Sequence, residues 1–152
     1  MKPALVWLML VAAMPAGAQD FAPFEGRWRG EGALVLGDEP PQRLRCQIRL
    51  RATREDQAAF SGRCATAQGA QGFVYLLSAP EPGLVVAENR SEGPDDLPPR
   101  MQGRIDAGAL RFEAEGGALF ELRRDGAALR FVIAGHDSRG PARGEARLAP
   151  HE

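Results

Sequence analysis

Apolar and charged residues alternate one for one along much of the chain. Between Gln42 and Ala52, Leu44, Cys46, Ile48, Leu50 and Ala52 face one way, and Arg43, Arg45, Gln47, Arg49 and Arg51 face the other. Side chains on a strand point to opposite faces in turn, so this is a half-buried strand, apolar side inward. The polar stretch TREDQ follows, then AAFSGRC. A hairpin centred on Glu55 sets Leu50 opposite Phe60, Ile48 opposite Gly62 and Cys46 opposite Cys64. Directly opposed cysteines lie within bridging reach when their pair is non-hydrogen-bonded. A Cys46–Cys64 disulfide is therefore predicted, worth roughly 3 kcal/mol in the chain-entropy account.

The same rhythm continues. Gly72–Ser78 and Gly83–Asn89 are short apolar runs. Met101, Gly103 and Ile105 stand against Arg100, Gln102, Arg104 and Asp106. Leu110, Phe112 and Ala114 stand against Arg111, Glu113 and Glu115. Phe120 and Leu122, then Leu129, Phe131 and Ile133, and finally Gly144, Ala146 and Leu148, take the inward positions of three further stretches. Turn sequences near Asp106, Glu115 and Arg124 join them, and no stretch sustains a 3.6-residue period. About eight to ten strands of similar length predict an all-β fold. A single antiparallel up-and-down barrel is favoured, because a sandwich needs some long crossovers. The longest irregular stretch, Arg90 to Pro99, reads as a lid-like or mobile loop.

The first strand is unusual. In FEGRWRGEGALVL, Phe24, Gly26, Trp28, Gly30, Gly32, Leu34 and Leu36 share one face. Glycine within a strand marks a bend or a close backbone approach. A barrel's first strand must bend to close the sheet, and a bulky plug needs small neighbours. Trp28 is expected to close one end of the barrel.

Composition adds a compartment. Lys2, the apolar run Ala4–Ala13, Pro15 and the small residues Ala16–Ala18 have the layout of a cleaved export signal over residues 1–18. The run is about half the roughly 20 residues that a membrane span needs. The β-barrel domain is then 19–152, with no integral membrane segment after cleavage, and a periplasmic or secreted location follows. Two cysteines in an oxidising compartment suit a structural bridge. Nineteen basic residues face twenty acidic ones, a balance that argues against nucleic acid as a partner. Lys2 is the only lysine, and the arginine richness reads as codon bias.

The stretch FAPFEGRWRGEG resembles the N-terminal Gly-x-Trp signature of the lipocalin and calycin superfamily, with Gly26 and Trp28 on the motif. The resemblance implies that Trp28 closes the barrel floor and that an arginine from a late strand packs across it. Arg130, Arg143 and Arg147 are the candidates. The chain lacks the superfamily's second signature and following helix, which points to a short barrel on the scale of the fatty-acid-binding or avidin type. The order Trp28, Cys46, Cys64 behind an export signal is also similar to small periplasmic barrels that inhibit secreted metalloproteases. That likeness implies insertion of the N-terminal stretch Gln19–Pro23 into a protease cleft.

Catalytic chemistry is not evident. His136, Asp137 and Ser138 share one loop, too close in sequence for the geometry of a nucleophile, base and orienter. Asp95 and Asp96 are too few ligands for calcium, and neither a metal nor a cofactor is expected. The arginines of the second strand read as a solvated face paired with Glu25 and Glu31, with an anion or partner surface as the alternative. The protein is read as a non-enzymatic barrel binding a small apolar ligand or lipid through Phe112, Phe120 and Phe131. The other reading is a protein-interaction module of the cell envelope, such as a protease inhibitor. Gly62, Gly103, Ala114, Gly144 and Ala146 either leave a cavity inside the barrel or fit its taper.

Overall fold

A computed structural model of the chain describes residues 21–92, 96–137 and 139–152, except for the side chain of Asp137. The predicted signal peptide 1–18, and Gln19, Asp95 and Ser138, lie outside the described residues.

Among the described residues, a short 3-10 turn, Ala22–Phe24, is followed by ten strands: β1 (Gly26–Leu36), β2 (Gln42–Arg54), β3 (Gln57–Thr66), β4 (Gly69–Ser78), β5 (Leu84–Asn89), β6 (Arg100–Ile105), β7 (Ala109–Glu113), β8 (Leu119–Asp125), β9 (Ala128–Asp137) and β10 (Gly140–Pro150). Each strand pairs antiparallel with its neighbours in the chain, and β10 returns to β1 to close the barrel. This is the up-and-down architecture expected from tight turns and period-two patterning, and full closure leaves no free edge. The start of β1 defines the lower end of the barrel, and its end at Leu36 defines the upper end.

The hairpin β2–β3 has the expected register, with Leu50 opposite Phe60, Ile48 opposite Gly62 and Cys46 opposite Cys64. The two cysteines form a disulfide, their Cα atoms 4.2 Å apart, close to the spacing of a narrow, non-hydrogen-bonded pair. Thiol titration of unreduced, denatured protein should find no free thiol; two reactive thiols would contradict both this register and this pairing.

The barrel interior is filled. Phe60 packs edge-on against Phe112, Phe120 and Phe131. Phe112 and Phe120 stack at 5.5 Å, and Phe73 and Tyr75 complete the cluster. Two of the small inward residues, Gly62 and Gly144, have no room beside them. A Cβ added at Gly62 would lie 2.6 Å from the Phe73 ring, and one at Gly144 would lie 2.9 Å from both Ile133 and Leu44. Large neighbours occupy the space that small residues release, so the taper reading holds for these two positions. Phe24 departs from the expected first strand: it belongs to the 3-10 turn and is fully buried at the floor. Ala52, the last regularly paired residue of β2, is exposed, and a register shift follows between Ala52 and Arg54.

Gly30 and Gly32 mark where β1 crosses β10 at close range. A Cβ at Gly30 would lie 2.9 Å from the Leu148 Cα, and one at Gly32 would lie 2.6 Å from the Ala146 Cα. Gly103 stands in the same relation to Phe112 across β6 and β7, at 2.6 Å. Such glycine kinks let a strongly twisted sheet turn its corners.

Candidate functional site

The two ends of the barrel differ. At the lower end Trp28 is 5% exposed. Its Nε1–H donates to the Phe24 carbonyl at 3.0 Å, which ties the 3-10 turn across the floor. The Arg124 guanidinium lies 5.4 Å from the Trp28 ring centroid and donates to the Pro23 and Gly126 carbonyls. The arrangement is a cation–π lid over an aromatic plug. The packed arginine is thus Arg124 of β8, not Arg130, Arg143 or Arg147. Arg130 pairs with Glu145 on the outer wall, and Arg147 pairs with Asp125. The signal was present in the sequence, since Arg124 continues the inward parity of Phe120 and Leu122. An inward arginine at the end of a strand can cap the barrel while its guanidinium reaches polar partners.

The Gln19–Pro23 stretch is not free where it is described. Phe21 is 2% exposed within the core cluster, and the Pro23 carbonyl is held by Arg124.

At the upper end the barrel opens into a recess of about 920 Å³. Leu34, Phe73, Leu119, Phe120 and Ile133 supply its apolar lining, together with Cys64 of the disulfide. Asp96, Glu115, His136 and Gln71 stand among its polar lining. The β5–β6 connection borders it through Leu97 and Pro98, and Leu97 packs on the core. The described ends of that connection are tied down. The Tyr75 hydroxyl donates to the Pro98 carbonyl at 2.9 Å, the Asn89 N–H reaches the Pro99 carbonyl, and the Val74 N–H reaches Ser91 Oγ. An apolar pocket with a few convergent polar groups is the usual form of a small-molecule site.

Of the three phenylalanines expected to line a ligand site, Phe120 borders this recess. Phe112 and Phe131, 0% and 1% exposed, sit deeper in the filled interior. Leu34, Phe73 and Ile133 were missed. The strand pattern marked Leu34 and Ile133 as inward, but nothing in it said which inward positions lie near an open end. His136 lines the recess; Ser138 and the side chain of Asp137 lie outside the described residues.

The outer wall is laced with ion pairs. Glu31 bonds Arg43, whose guanidinium holds its carboxyl below the ordinary value of 4.5, and Arg130 does the same for Glu145. The N–H groups of Gly108 and Ala109 lower Asp106 from 3.8. Carboxyls depressed in the folded state add stability that is present above their unfolded values and lost as pH falls through the folded ones. The denaturation midpoint should therefore fall as pH drops below about 4.5, and Glu145→Gln should flatten that dependence. An unchanged slope in the variant would show that the Arg130 pair does not contribute.

No protein-family model matches the chain, and no curated protein matches it. Among solved structures it is similar to EF1p2_mFAP2b bound to DFHBI, at 8% identity and a TM-score of 0.49, over 89% of this chain and 99% of that one. It is also similar to a redesigned beta barrel at 12% identity and a TM-score of 0.42, over 89% of this chain and 97% of that one.

Proposed function

We propose that the protein is an exported, non-enzymatic binding barrel that takes a small apolar ligand or lipid at its open upper mouth. The observation that carries this reading is the recess floored by Phe73 and Phe120 and walled by Leu34 and Ile133. The other end is sealed by Trp28 and Arg124, so a ligand has one way in. Because the interior below is filled with aromatic rings, the ligand occupies the mouth and not the barrel axis. Export is supported by the signal-like pattern of residues 1–18 and by the Cys46–Cys64 bridge.

The test is titration with Nile red, an uncharged apolar dye. Wild-type protein should raise its emission saturably. Leu34→Gln and Ile133→Gln place an amide in the recess on partly buried positions, and should weaken dye binding with little loss of stability. Val35→Gln, on the outer wall, should leave binding unchanged. No saturable binding by the wild type, or an equal loss in Val35→Gln, would mean the barrel is a solid scaffold.

A further inference from the structure

The outer wall of β1, β2 and β3 carries positive charge that it does not neutralise. These three strands hold eight arginines, and the one acidic residue within them is Glu31. Glu31 is engaged by Arg43 and Arg45. The flanking Glu25 accepts a hydrogen bond from the Ala52 N–H. Arg27 stands directly opposite Arg49 across β1 and β2, and Arg63 lies in the next row, opposite Gln47. Like charges set directly opposite destabilise a sheet. Yet among the described residues none of Arg27, Arg49 and Arg63 forms an ion pair, whereas on the far wall Arg111, Arg123 and Arg130 each meet a glutamate.

These three arginines line one groove, of about 790 Å³, with Gln47, Ser61 and Gln71 beside them. Gly72 lies in the groove, and a Cβ there would meet nothing closer than the Gly62 carbonyl at 3.7 Å, so the floor is bare. Glu92 and His151 also border it, and the His151 N–H is fixed to the Arg27 carbonyl at 2.8 Å. Guanidinium forks match the oxygens of phosphate and sulfate bidentately, and amide and hydroxyl groups complete such a cradle. We propose that this groove is an anion site, in which Arg27, Arg49 and Arg63 bind a phosphate or sulfate ester. The site is separate from the mouth. Of the second-strand arginines, Arg43 and Arg45 pair with Glu31 as the solvated-face reading expects, and Arg49 is reassigned to a surface whose like-charge repulsion an anion relieves.

Two probes distinguish the sources of such a group: inorganic pyrophosphate in solution, and phosphatidylglycerol-containing vesicles compared with phosphatidylcholine ones. Saturable pyrophosphate binding, followed by shifts of the Ser61 and Gln47 amide resonances, supports a soluble ester. Binding only to the anionic vesicles supports a lipid headgroup. Arg49→Gln and Arg63→Gln should each weaken binding about tenfold, as loss of one charged hydrogen-bonding group does. Both side chains are exposed, and stability should hold or rise slightly at low salt as the repulsion is relieved. Arg63→Lys keeps the charge without the fork and should fall between wild type and Arg63→Gln. Arg104→Gln, across the barrel, should change nothing. No saturable response to either probe, or an equal loss in Arg104→Gln, would overturn the proposal. Nile red binding at the mouth should ignore pyrophosphate, so failure of one site leaves the other testable.

Discussion

Trp28→Ala should cost roughly 3–5 kcal/mol of unfolding free energy, the range for emptying a buried large aromatic site. Three contributions go together. The indole leaves a void at the floor, where Phe21 and Phe24 share the core. The Phe24 carbonyl loses its donor, and the 3-10 turn loses its tie to β1. Arg124 loses the ring beneath it and keeps only carbonyl partners. Chemical denaturation with a matched Trp28→Phe variant checks the sum. The phenyl ring restores most of the volume but not the indole donor, so Trp28→Phe should fall between. In protein lacking residues 1–18, Trp28 is the sole tryptophan. Its emission should be blue-shifted when folded and move red on unfolding. Emission like that of free tryptophan in the folded state would rule out the plug.

The second large effect is expected at Gly32. Gly32→Val should destabilise by more than the roughly 1–3 kcal/mol typical of an overpacked core. The obstacle to its Cβ is not a side chain that can rotate away but the main chain of β10 at Glu145 and Ala146. To admit it, β1 and β10 must separate at the line where the barrel closes. The same change at Gly72, whose Cβ would meet only the Gly62 carbonyl at 3.7 Å, should cost far less. Denaturation midpoints for the two variants make the comparison, and equal losses would show that strand crossing is not what Gly32 serves.

The strand pattern was enough to read the barrel, and a turn centred on Glu55 then set the β2–β3 register, with the apolar positions of Leu44–Leu50 and Phe60–Cys64 on one inward face. A one-residue slip would have turned Cys64 outward while Cys46 stayed inward, and parted the two. The plug was legible in Gly26 and Trp28 for a similar reason: an aromatic among inward glycines needs an end of the barrel to fill. What the pattern could not supply was depth. Phe112, Phe120 and Phe131 look alike in the sequence, all mid-strand and all inward. Only the stagger of strands around the ring makes Phe120 border the mouth while the other two are enclosed. Arg124 escaped because it was read as the start of a turn, whereas it lies in β8 with inward parity. The arginine groove escaped because ion pairing was inferred from neighbouring strands as a whole. Register decides which pairs form, and it sets Glu31 beside Arg45 and Arg27 beside Arg49.

The ring of ten strands also has one joint unlike the rest. Nine of its pairings join strands consecutive in the chain, and the tenth, β1 with β10, joins strands separated by almost the whole chain. Closing a contact between distant segments carries the largest loop entropy, while local hairpins form early. The disulfide lies within one of the local hairpins and so does not lock the joint. Gly30 and Gly32 sit on that joint, where a Cβ on β1 would meet the main chain of β10. The ring is in effect a zipper with a single clasp: opening β1 from β10 turns a closed cylinder into a curled sheet with two bare edges.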